Sequence, residues 1–162
     1  MLTISPKTRK AGKFVNTAHT DTIIRNYKKE RWVNNSKHIG KEDSLSVWYS
    51  AEELEQFLEK IKMHGADGVR FYFAAYDKEY EEQPLYAGRQ TLVMVATQAK
   101  AIDKAVIDKD IYISTDNGNS ILAYNSGKLC PPFCKPPGGL DNDFGEIGIT
   151  IIDKGSEGIT IV

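Results

Sequence analysis

A helix start written twice over governs the reading of this chain. Ser50-Ala-Glu-Glu53 is a capping box: the Ser50 hydroxyl accepts from the backbone N–H of Glu53, and the Glu53 carboxylate accepts from that of Ser50. Behind it, Leu54, Phe57, Leu58 and Ile61 recur at i, i+3, i+4 and i+7, the apolar stripe of a helix laid on a core. Gly65 supplies the left-handed residue that ends such a helix. Leu45 to Tyr49 reads as a short strand before the box. Val69 to Tyr76, rich in aromatic and β-branched residues, reads as a strand after it. A β-α-β unit therefore sits in the middle of the chain.

The flanks differ in kind. Residues 3–33 read as helical, with Ser5-Pro6 as one start signal and Thr20 or Asp21 as a second, followed by Ile23, Ile24, Tyr27 and Trp32 at near-helical spacing. Asn34 to Ser44 is polar and reads as a loop, and Asp77 to Gly88 as a polar connection to a strand at Thr91–Thr97. Beyond that, Ile111–Thr115 and Ser120–Tyr124 flank Asp116-Asn-Gly-Asn119. Asn117-Gly118 there is a strong hairpin signal, because both turn positions need positive φ. Gly148-Ile-Thr-Ile-Ile152 and Gly158-Ile-Thr-Ile-Val162 read as two paired strands around Asp153–Glu157; a solenoid needs at least three repeats. Helices early and strands late give an α+β expectation: N-terminal helices packed on a mostly antiparallel sheet, with C-terminal hairpins. At 162 residues, positions 1–162 form one expected domain.

Charge narrows the partners. Lys plus Arg (21) nearly cancels Asp plus Glu (22), so no net field draws nucleic acid, whose phosphates demand surplus basic charge. The basic run Lys7, Arg9, Lys10 and Lys13, joined by Arg25, Lys28, Lys29 and Arg31, reads as a solvated helix face. No stretch approaches the ~20 apolar residues of a membrane span, and Met1–Lys7 lacks the apolar core of a signal peptide. The expectation is a cytoplasmic protein without a membrane partner.

Three pieces in order carry a resemblance: the helix-led N-terminus from Ser5, Gly68-Val-Arg-Phe-Tyr-Phe73, and Cys130-Pro-Pro-Phe-Cys134. Together they resemble a family of small, uncharacterised bacterial proteins with a helix, a Gly-x-Arg-x-Tyr strand, a second apolar strand (here Thr91-Leu-Val-Met-Val95) and a Cys-Pro-Pro-x-Cys loop. The likeness spans Ser5 to Cys134 and departs in the long Asp77–Gly88 loop and the Ile/Thr hairpin after the cysteines. It implies an architecture and no reaction.

Candidate functional residues are few. A period of two places Val69, Phe71, Phe73 and Ala75 on one strand face, and Arg70, Tyr72, Ala74 and Tyr76 on the other. Arg70 between tyrosines can bind a carboxylate or phosphate through bidentate donors and ring stacking. The competing reading is a structural ion pair with an acidic residue such as Glu52 or Glu55. Cys130 and Cys134 lack two further ligands of paired spacing for zinc, since His19, His38 and His64 are scattered, and they miss the redox spacing by one residue. A bridge between them requires the chain to turn back at Phe133; otherwise they are two packed thiols in a rigid loop. Asp141-Asn-Asp-Phe-Gly-Glu146 lacks the ligand pattern of a calcium loop. No nucleophile elbow and no Gly-rich phosphate loop before a helix is present, Gly138-Gly139 included. The expected function is a non-enzymatic module binding a protein or small ligand, with Arg70, Tyr72 and Tyr76 as binding residues. No cofactor or metal is expected, and the C-terminal strands are a candidate surface for self-association. The alternatives are an enzyme with a cleft around Arg70, or a thiol or metal role at the Cys130–Cys134 loop.

Overall fold

The computed structural model describes residues 9–134, 151–153 and 155–161. The helix start expected at Ser5-Pro6, the Gly138-Gly139 pair and the Asp141–Glu146 segment lie outside them.

The helix and both strands of the mid-chain unit form as their sequence dictates, but the two strands join separate sheets and do not make one β-α-β unit. Strand β1 (Ser46–Trp48) leads into a long helix, called α3 after two N-terminal ones, at Ala51–Met63. Ser50 Oγ accepts from the Glu53 N–H at 3.1 Å and Glu53 Oε2 accepts from the Ser50 N–H at 3.2 Å, so both halves of the box close. Gly65 follows with φ +82°. Phe57 and Ile61 are buried with Met94, Ala96 and Leu122, while Leu54 and Tyr124 pack on the border. Leu58 departs from the expected stripe and is 40% exposed. Phe57 and Ile61 stand one turn apart and define the line of contact; Leu58, about 100° around the helix from Phe57, turns away from that line.

Strands β2 (Gly68–Ala75), β3 (Gln90–Ile102) and β4 (Ala105–Asp110) form an antiparallel sheet in that order. A short strand, Ala123–Tyr124, pairs β3 beside β4. Residues 94–97 are all buried, so the middle of β3 is covered on both faces. Residues 98–110 carry no strong strand signal, yet β3 runs on to Ile102, the chain turns back at Asp103 with φ 54°, and β4 returns along it. Pairing with an existing strand overrides weak local preference there.

The later hairpin joins β5 (Tyr112–Thr115) to β6 (Gly118–Ile121). Thr115 pairs with Gly118, so the turn residues are Asp116 and Asn117, one step earlier than the sequence suggested. Gly118 takes φ 105° and Asn117 does not enter positive φ, as when a turn is followed by a left-handed glycine. With Ala123–Tyr124 as β7, Lys128–Cys130 is β8 and pairs β1 antiparallel. Just before it, a Cβ on Gly127 would lie 2.5 Å from both the Tyr49 ring and Val47, so only glycine fits. Near the C-terminus β9 (Ile151–Asp153) pairs β10 (Ile159–Ile161), the hairpin expected from the Ile/Thr repeat.

The N-terminal region corrects two expectations. Residues 9–16 are not helical, and α1 (Thr17–Tyr27) begins where the Asn16 side chain accepts from the His19 N–H. The helix then passes through a wider π turn, Lys28–Trp32, into α2 (Val33–Ile39), so the first half of the expected Asn34–Ser44 loop is helical. Tertiary anchors hold it despite its polar composition. Trp32 Nε1 donates to the Asp43 carbonyl at 2.7 Å, and the Tyr27 hydroxyl and Asn35 amide both donate to Gln90 Oε1 on β3.

A buried polar node fastens this region to the sheet. Asp43 is 2% exposed, and its Oδ1 accepts from the backbone N–H of Ser44 at 2.8 Å and of Gln90 at 2.6 Å. Arg89, also buried, donates to the Leu85 and Glu42 carbonyls; burial pushes its pKa down, against the neighbouring Asp43 and Glu42 charges.

Candidate binding edge

Arg70 and Tyr72 project from the same face of β2, as the alternation required, and meet a third residue that the sequence did not single out. Arg70 Nη1 donates to Asp110 Oδ1 at 2.5 Å, and the Tyr72 hydroxyl donates to Asp110 Oδ2 at 2.6 Å. The second guanidinium nitrogen donates to the Asp108 carbonyl at 2.7 Å. Asp110 ends β4, so this brace spans all three strands. The hydrogen bond with Tyr72, opposed by desolvation and helped by the charge of Asp110, pushes the Arg70 pKa up. The ion-pair partner is thus Asp110, and neither Glu52 nor Glu55, which sit on α3 over the opposite face. No local signal could have found Asp110, because the pairing depends on the β3–β4 hairpin.

Tyr76 stands apart from that brace. It follows β2, stacks on Tyr80 at 4.5 Å between ring centroids, leans on Tyr86 at 5.5 Å, and donates its hydroxyl to Asn125 at 3.0 Å. Tyr86 in turn meets Phe133 of the cysteine loop edge-on at 5.8 Å, and its hydroxyl accepts from the Leu129 N–H. Cys130 and Cys134 are joined in a disulfide with Cα atoms 4.9 Å apart. They are therefore not two separate packed thiols. The chain reverses at Pro131-Pro132, before the expected position of Phe133, whose N–H already bonds back to Leu129.

The feature with the most unmet capacity is the outer edge of β2. Antiparallel strands alternate residues that bond across the ladder with residues whose N–H and C=O point away. The Ala96 N–H bonds Leu122 and its carbonyl accepts from Ile111; the Leu92 carbonyl accepts from Asn125; Gln90 is held by Asp43 and Ser44. These β3 residues face Val69, Phe73 and Ala75 in the register, and all turn their backbone away from β2. The Tyr76 N–H, by contrast, bonds Arg89. Even-numbered residues of β2 therefore pair with β3, and Val69, Phe71, Phe73 and Ala75 present their N–H and C=O outward. Among the described residues no strand pairs this edge.

Side chains do nothing to close it. Val69 reaches the core, whereas Phe71 is 56% and Phe73 83% exposed on the α3 side, and Tyr72 is 41% exposed on the other. An open cleft of about 800 Å³ runs beside the Gly68 end, bounded by Arg9, Lys10, Asp67, Val69, Arg70 and Phe71. Its charges largely answer one another: Arg9 pairs with Asp108, Arg70 with Asp110, and Asp67 accepts from the Ala99 N–H. What remains, among the described residues, is an open backbone edge flanked by aromatic rings. Among protein-family models, curated proteins and solved structures, none matches this chain.

Proposed function

We propose that this chain is a non-enzymatic protein-binding module whose working surface is the free edge of β2. The observation that carries the reading is that Val69, Phe71, Phe73 and Ala75 offer a continuous row of backbone donors and acceptors, with two exposed phenylalanines among them. Natural edges are normally blunted by charge, proline or a bulge, and these outward residues carry none. An extended segment added there gains main-chain hydrogen bonds for affinity and aromatic contacts for selectivity, the logic of strand addition. Arg70 and Tyr72, braced by Asp110, stiffen the strand that receives it, and Tyr76 steadies the turn beyond. Both terminal guanidinium nitrogens of Arg70 already donate within the fold, which favours this reading over an enzyme cleft built on that arginine. A cytoplasmic setting is part of the proposal, and in a reducing cytosol the Cys130–Cys134 bridge would open. No helix among the described residues is long and apolar enough to cross a membrane.

The test uses a panel of capped, extended peptides that alternate Val or Phe with Thr, Lys or Glu, each beside an alternately N-methylated form unable to pair. Saturable binding that slows exchange of the Val69, Phe71 and Phe73 amides, and is lost on N-methylation, is the expected result. With the protein dilute enough to be monomeric, equal binding of the N-methylated peptides, or no binding at all, refutes strand addition.

A further inference from the structure

We infer that the partner seated on the β2 edge is a second copy of this chain, paired antiparallel about a two-fold axis at Phe71. This rests on the strand-addition reading and adds the identity of the partner. A two-fold pairing must join outward-facing residues to outward-facing residues, which confines the axis to a few positions along the strand. Placing it at Phe71 sets Phe71 against its own counterpart and Val69 against Phe73 of the second copy. It also sets Arg70 against Tyr72 of the second copy.

On the α3 side every pair within residues 69–73 is then apolar on apolar, and it covers the two most exposed rings of the strand. On the opposite side each guanidinium meets a tyrosine. Arg70 already lies over its own Tyr72 ring at 5.8 Å, so the second copy extends a cation–π arrangement that the fold has built. Moving the axis one residue along, so that Tyr72 faces its own counterpart, leaves Arg70 opposite Ala74 and gives up that match. No like charges oppose one another across the axis at Phe71, and a net charge of −1 adds no general repulsion between copies. Residues 69–73 are thus complementary to themselves in shape class and in charge.

Sedimentation equilibrium of the full chain from about 1 to about 300 µM decides it. A reversible monomer–dimer equilibrium is expected. Phe71→Lys and Phe71→Glu should each weaken association by about tenfold or more, since each sets like charges against each other on the axis. Mixing the two variants should restore a dimer, because lysine then faces glutamate. Circular dichroism and melting curves of both variants, altered at an exposed position, should match the parent at the dilute end, where the parent is monomeric; at higher concentration only the parent gains stability from association. A parent chain that stays monomeric throughout, variants that dimerise unchanged, or a mixture that fails to associate each overturns the inference. If the parent is monomeric while the alternating peptides still protect Val69, Phe71 and Phe73, strand addition stands and the second copy is not the partner.

Discussion

Truncating Phe57 to alanine tests whether the core lies where α3 meets the sheet. Its side chain is 6% exposed and packs among Ile61, Met94, Ala96 and Leu122. Withdrawing a buried aromatic side chain forfeits roughly 1.5–3 kcal/mol of transfer free energy. The unfilled volume adds to this at about 24 cal/mol per Å³, to the extent that neighbours do not collapse. Loss of the ring contact with Tyr124, at 5.4 Å between centroids, adds about 0.5–1.5 kcal/mol. Together these give about 3–5 kcal/mol for Phe57→Ala. The neighbouring Leu58, 40% exposed, should lose only about 1 kcal/mol on the same change. Urea titrations followed by circular dichroism measure both. A loss under about 1 kcal/mol for Phe57→Ala, or equal losses for the two, would refute the helix orientation and the core built on it.

The remaining expectations are shorter. Asp43→Ala should cost about 2–6 kcal/mol, because it strands two backbone donors in a buried site, each worth about 1–3 kcal/mol; a loss within about 0.5 kcal/mol would dissolve the polar node. Burial is the largest cause holding the Tyr49 hydroxyl above its ordinary pKa, and this buried hydroxyl completes no good hydrogen bond although the Gly127 N–H approaches it. The neutral phenol is the form the fold favours. Its contribution should be complete below about pH 10 and disappear as pH climbs past the raised folded value, so Tyr49→Phe should blunt the alkaline loss of stability; identical pH profiles would contradict this. Reducing the Cys130–Cys134 bridge, which spans a sequence separation of 4, should lower stability by at most about 2 kcal/mol on chain-entropy grounds. Denaturant titrations with and without a phosphine reductant check it, a larger loss contradicting the estimate. Deleting residues 147–162 should leave the association constant unchanged, whereas loss of the dimer in a still-folded chain would move the interface to the β9–β10 hairpin.

Legibility in the sequence followed the range of the interactions. The capping box, the left-handed Gly65 and the alternation of β2 are local, and α3 and β2 appear within a residue or so of where they were read. The failures are non-local. Helix α2 looks like a polar loop until Trp32 reaches Asp43 and Asn35 reaches Gln90. Strand β4 has little β character and exists because β3 offers it a ladder. Asp110 becomes the partner of Arg70 only once that hairpin folds back. The exposure of Phe71 and Phe73 was hidden most thoroughly, since two phenylalanines on one face normally mark a core. Their position is set by strand order, which leaves β2 at the rim, and by a helix that covers Val69 but stops short of them.

Residue-resolved amide exchange along β2, in the full chain at low and high protein concentration, tests the central claim most directly. The account predicts that Arg70, Tyr72 and Ala74 exchange slowly at both concentrations, held by the β3 ladder. Val69, Phe71 and Phe73 should exchange quickly when dilute and become protected as the concentration rises. Protection of all six amides in dilute solution, or rapid exchange of the odd-numbered three at every concentration, would contradict it.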